Sequence, residues 1–243
     1  MRFVFVKPSP RLSFPRKPGS PVARGLKIPA AAGLTGALRV LVAMLALLLA
    51  PLAMADATAA ASLVKVLNGI SGMQASFSQQ TLDGKGRALA TQTGRMGVKR
   101  PGLFRWEVLK PAPQLVLTAG RTLWIHDPEL MQATKQKLDD QVGNTPALLL
   151  SGEPRQLAAS FDINEMPGQG GEQVFVLKPR GKDALFESMR VFFKAGQLVE
   201  MDLTDTLGQR TAIRFAGIRM NPAFPAGYFE FVPPKGTDVI DQF

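Results

Sequence analysis

The chain has 243 residues, is 46% hydrophobic and carries a formal charge of +10, with no cysteine and a single histidine. The charge points at first to nucleic acid or an anionic membrane, but eight of the 29 bases and none of the 19 acids fall in residues 1–55, leaving 21 bases against 19 acids. That near-balance, without a basic stripe interleaved with aromatics, argues against nucleic-acid binding, and the missing cysteines exclude thiolate nucleophiles and thiolate metal sites.

Arg39 precedes the apolar run Val40–Ala50, followed by Pro51 and by Ala53-Met54-Ala55 before Asp56. A basic start, a short apolar stretch and an A-x-A site predict a signal peptide over residues 1–55, cleaved after Ala55. An N-terminal membrane anchor is the alternative, and the long, proline-rich beginning is also consistent with a start codon placed too far upstream. Residues 56–243 then form one domain with a full core. Without a cysteine at the cleavage point the mature chain has no site for lipid attachment.

Leu63, Val66, Leu67 and Ile70 fall at i, i+3, i+4 and i+7, one stripe of an amphipathic helix ending near Gly69–Gly72. Phe77–Gln80 opens an extended run that turns at Asp83-Gly84 and Gly86. Ala88–Val98 and Leu103–Leu109 read as strands, and Lys110-Pro111-Ala112-Pro113 as a rigid connector. Gln114–Thr118 and Thr122–His126 flank the turn Ala119-Gly120. Thr145 as N-cap, Pro146 at the first helical position and Gly152 as the stop predict a short central helix, and Pro154–Ser160 a second. Strands return at Gln173–Leu177, Met189–Lys194, Leu198–Asp205 and Arg210–Ile218, with a last one expected within Gly227–Pro234. The expected fold is mainly β with short helices, one antiparallel sheet large enough to curl toward a barrel.

Catalytic chemistry finds little support. His126 stands beside Asp127-Pro128 at a strand end, as a surface imidazole would. Carboxylate pairs such as Asp139-Asp140 or Asp202 and Asp205 lack any distinguishing context, and Gly168-Gln169-Gly170-Gly171 does not sit between a strand and a helix as a dinucleotide loop must. No paired-His metal set or phosphate loop exists, so neither an enzyme nor a cofactor is expected.

Two features ask for explanation. Pro146, Ala147, Leu148, Leu149 and Leu150 make a helix apolar nearly all round and too short to persist alone. It is either a core plug or a lid over an apolar cavity. Phe104, Trp106, Leu115, Leu117, Leu123, Ile125 and Leu130-Met131 either line that cavity or form solid core. In Lys99-Arg100-Pro101-Gly102-Leu103-Phe104-Arg105-Trp106, Arg100 is either solvated or a polar fixture beside the apolar strand face.

Gly97–Trp106 resembles the signature segment of the LolA family of periplasmic lipoprotein carriers. So do Leu123–Asp127 with Gln132-Ala133-Thr134, Asn144-Thr145-Pro146 before the apolar helix, Phe229–Asp238 at the C-terminus, and Phe77-Ser78-Gln79. The resemblance implies an unclosed antiparallel half-barrel covered by a lid of short helices. It also implies a monomeric carrier that shields the acyl chains of lipoproteins. Cargo would come from an inner-membrane lipoprotein-releasing ABC transporter and go to an outer-membrane acceptor. By the same resemblance Arg100, with Pro101 fixing its backbone, hydrogen-bonds lid groups and holds the empty cavity closed. Gly97 stands where an aromatic is common in the family and His126 where tyrosine is usual; both are expected to loosen the aromatic lining. The alternatives are an envelope stress sensor built on a similar domain and a paralogous carrier for another lipid.

Overall fold

A computed structural model describes residues 50–137, 150–181, 184 and 186–242. The signal-peptide segment up to residue 49, and Pro146–Leu149 of the expected lid helix, lie outside the described residues. Helix α1 spans Ala50–Asn68, so it runs across the expected cleavage point. It buries Ala59, Leu63 and Leu67, one residue per turn on a single stripe, with Ile70 continuing the line just past its end.

Twelve strands follow: β1 (Gly72–Leu82), β2 (Ala88–Lys99), β3 (Leu103–Lys110), β4 (Gln114–Ala119), β5 (Thr122–Asp127), β6 (Gln132–Lys137), β7 (Phe161–Pro167), β8 (Glu172–Pro179), β9 (Ser188–Lys194), β10 (Gln197–Thr204), β11 (Arg210–Met220) and β12 (Asp238–Gln242). Helix α2 (Pro154–Ser160) precedes β7. They form one sheet in the order β12-β6-β5-β4-β3-β2-β1-β11-β10-β9-β8-β7. Every pair is antiparallel except β12 with β6. The edge strands are β12 and β7, so the sheet is unclosed.

The sheet's inner face, toward α1, is where most alternate residues are apolar. Phe77, Met96, Val98, Phe104, Phe175, Leu177, Val191, Phe193, Leu198 and Met201 pack there with the stripe of α1, Leu157 of α2 and Leu150. Period-2 alternation in β1, β3, β9 and β10 makes this face legible from sequence. Asp83 fixes the first hairpin: its Oδ1 accepts hydrogen bonds from the backbone N–H groups of Lys85 and Arg87, each at 2.9 Å, and Gly86 takes a φ of +80°.

One expectation fails. The strand expected within Gly227–Pro234 is an irregular segment with a turn at residues 226–229. Its aromatics suggest a strand, but Gly227 has a φ of +75° and the flanking prolines cannot donate to a ladder. The segment instead crosses the outer face of the sheet as a strap. Beyond it comes β12, whose exposed, mixed sequence gives no strand pattern.

Candidate functional site

Arg100 leaves the end of β2 at the corner where the chain turns back into β3. Gly102, at φ +74°, lets the corner close, and its N–H donates to the Ser151 carbonyl at 2.9 Å. The Arg100 guanidinium is half-buried and meets carbonyls from two directions. Its Nε donates to the Leu150 carbonyl at 3.0 Å. Its Nη1 donates to the carbonyls of Leu67 and of Ile70, the latter at 3.1 Å. The last carbonyls of a helix lack intrahelical partners and carry the negative end of its dipole, so a cation finishing α1 is favoured twice over. Burial pushes the Arg100 pKa below its ordinary value and the charge of Glu153 opposes this; the side chain stays protonated.

Sequence reasoning missed the group on the other side of this junction. The Asn221 Oδ1 accepts hydrogen bonds from the N–H groups of Ser71 and Gly72 and from the Ser71 hydroxyl, at 2.8, 3.0 and 3.0 Å, while its Nδ2 donates to the Gly69 carbonyl at 3.2 Å. Its φ of +49° is one that asparagine tolerates. Only the turn-forming Asn221-Pro222 pair signals it in the sequence.

From the Arg100 corner β3 carries Phe104, Trp106 and Val108 along the inner face. Phe104 is buried; the Trp106 ring stacks on Phe77 with centroids 3.7 Å apart and planes at 19°. Phe77 lies over Gly94, where an added Cβ would sit 2.6 Å from its ring. Trp106 stands opposite Val116 of β4, which stands opposite Ile125 of β5. These three apolar residues are all half-buried. Here the inner face is apolar yet incompletely covered, whereas under α1 most of it is sealed.

That register separates the residues expected to line one cavity. Phe104, Trp106, Leu123 and Ile125 share the inner face. Leu115 and Leu117 do not, because Leu117 pairs with Arg105 and with Trp124 and so belongs to the outer face, where it is 1% exposed. In Leu115-Val116-Leu117 both alternations are apolar, so periodicity alone does not choose the face. Met131 lies in the exposed β5–β6 turn at φ +48°, 63% exposed, and its carbonyl accepts the Asp238 N–H at 2.8 Å where β12 begins. Leu130 is exposed in the same turn.

Gly97 and His126 also lie on the outer face, so neither alters the inner lining. The strap explains both. Tyr228 lies over Gly97, where an added Cβ would sit 2.6 Å from its ring, and Phe231 packs against His126 and Trp124 with centroids 5.0 and 5.3 Å apart.

Residues 68–232 match the family described as outer membrane lipoprotein carrier protein LolA. An outer-membrane lipoprotein carrier protein of Azotobacter vinelandii is 43% identical over 190 residues, 78% of this chain and 91% of that protein. One from Pseudomonas aeruginosa is 45% identical over 194 residues, 79% of this chain and 93% of that protein. The crystal structure of a LolA superfamily protein from Nitrosomonas europaea aligns at a TM-score of 0.43 and 14% identity, over 71% of this chain and 98% of that one. The chain belongs to the LolA family of outer membrane lipoprotein carrier proteins.

Proposed function

We propose that this protein is a periplasmic carrier that shelters the acyl chains of lipoproteins against the inner face of its sheet. It takes them from an inner-membrane ABC transporter and delivers them to an outer-membrane acceptor. Residues 1–55 direct export and are removed after Ala55. The observation that carries the reading is the half-covered apolar strip Trp106, Val116 and Ile125, beside the Arg100 corner, in a chain so similar to carriers.

The physical problem is solvation, and no bond is made or broken. Each methylene leaving a membrane for water costs about 0.8 kcal/mol, so several acyl chains meet a barrier of tens of kcal/mol. An apolar strip lowers that barrier by acting as an intermediate solvent. Its grip has to fall between those of donor and acceptor.

Arg100 supplies the counterweight. It ties the Leu150 carbonyl to the end of α1, so a segment lifted from the strip by lipid breaks a charge-assisted hydrogen bond. Such a bond is worth about 1.5–3 kcal/mol, regained when lipid departs. Pro146–Leu149, leading into Leu150, are the lid in this reading. Phe104, Trp106, Leu123 and Ile125 are its acyl-chain contacts.

The test incubates purified residues 56–243 with spheroplasts and assays the medium for released lipoproteins. Release supports the carrier reading. Free lipid bound with no lipoprotein released replaces it with a carrier of another lipid.

A further inference from the structure

A second recess lies on the outer face, under the strap and away from the acyl strip. Gln74, Arg95, Arg105, Glu107, Ala226, Gly227 and Tyr228 line about 320 Å³. The strands fix its floor. Arg95 stands opposite Glu107, and Gly97 opposite Arg105, so the two arginines form a diagonal pair on neighbouring strands, each next to the small floor residue. Tyr228 closes one wall by covering Gly97.

The polar groups are under-used. The Arg95 side chain makes no hydrogen bond or ion pair among the described residues. Arg105 is held loosely: Nη2 stands 3.7 Å from a Glu107 oxygen, and Nη1 donates to the Tyr228 carbonyl at a long 3.4 Å. Its guanidinium also faces the Tyr228 ring at 5.6 Å. The Gln74 oxygen accepts from Arg219 at 3.3 Å, which leaves its amide N–H groups free to donate.

We propose that this recess is a receptor for a carboxylate, presented by an acidic side chain of a protein partner. Among the lining residues two guanidinium groups stand against one carboxylate, a net single positive charge, while Arg219 on Gln74 and a Glu230 oxygen near Gly227 offset each other at the margin. That balance suits a monoanion, and Glu107 repels the second charge of a phosphate. Planar guanidinium forks match the two oxygens of a carboxylate. The partner's identity as a donor or acceptor of cargo rests on the carrier reading; the chemistry of the recess does not. A partner held here leaves the acyl strip uncovered, so docking and loading occupy opposite faces of one sheet.

Tyr228 is the chain's only tyrosine, so its ring resonances give an unambiguous reporter by NMR. The intact protein is titrated with capped glutamate, with sodium chloride as the ionic-strength control and inorganic phosphate as the rival. Saturable shifts of the Tyr228 ring with glutamate, absent with chloride, are expected. Arg95→Gln weakens them at least roughly tenfold, Glu107→Gln strengthens them, and Arg214→Gln, elsewhere on the outer face, leaves them unchanged. No saturable shift, or an unchanged shift in Arg95→Gln, overturns the proposal, and tighter binding of phosphate overturns the carboxylate assignment. The titration contains no lipid. A chain that binds glutamate yet releases no lipoprotein from spheroplasts therefore keeps this site and loses the carrier reading, and the reverse result does the opposite.

Discussion

The two halves of the sheet differ in which face carries the apolar burial. In β7–β11 the inner face is sealed: Ile163, Phe175, Leu177, Val191 and Met201 are each 0% exposed. The outer face there carries charge, with Arg190 paired to Asp202 and Arg214 to Glu200. In β4–β6 the outer face is buried as well, and the inner face is sealed only at Thr118 and Leu123. Leu115, Leu117 and Ala133 are buried on the outer face, where the strap brings Phe231 onto Trp124 and His126. The inner face of the same strands keeps Val116, Ile125 and Thr134 only half-buried. A half-covered apolar surface contributes little to folding. The β4–β6 half recovers that loss by burying its other side, so in the proposed carrier stability and binding fall on different faces of the same strands.

Substitutions on the two faces test this division. Phe193→Ala, inside the sealed half, is expected to cost about 3–5 kcal/mol in urea unfolding. Leu117→Ala, on the outer face of β4, is expected to cost about 2–4 kcal/mol. A near-neutral Leu117→Ala means burial on the outer face is not what holds that half together. Arg100→Leu removes the donor shared by the Leu67, Ile70 and Leu150 carbonyls, with about 1–3 kcal/mol expected in stability. Its main effect falls on delivery. Lipoprotein loaded on the variant should pass to the acceptor more slowly, and transfer at the normal rate removes Arg100 from the mechanism. Ile125→Ala sharpens the contrast: about 1 kcal/mol or less in stability because the residue is half-exposed, but a clear loss of lipoprotein released from spheroplasts.

The smallest effect is at the β1–β2 turn. Hydrogen bonds from the Arg87 backbone and side chain hold the Asp83 carboxyl below its ordinary value. A depressed carboxyl stabilises the fold above its unfolded-state pKa and loses that contribution as pH falls through the folded value. Thermal melts of Asp83→Asn should therefore sit slightly below wild type at neutral pH and converge with it on acidification.

Much of this was legible. Leu63, Leu67 and Ile70 gave away α1, and the alternation of β1, β3, β9 and β10 gave the inner face. Arg100 beside a proline at a strand start stood out as a polar group in an apolar setting. What escaped depends on pairing across the chain. The faces of Leu115 and Leu117 follow from their register with Arg105, which no local pattern encodes. The strand β6, Gln132–Lys137, is polar at most positions because only Ala133 is fully buried. Tyr228, Phe229 and Phe231 make an aromatic run that reads as a strand, yet it lies across the outer face of the sheet rather than in it. The carboxylate recess needs residues from β1, β2, β3 and the strap, and so has no contiguous signature.

The contact between Tyr228 and Gly97 ties two distant positions into one unit of volume. The void above position 97 admits a single ring, whichever residue furnishes it. An aromatic introduced at 97 has to evict Tyr228, take the strap out of register and dismantle a wall of the recess beneath. Tolerance for bulk at 97 is thus traded against the residue at 228, and exchanging both together should be gentler than changing either alone.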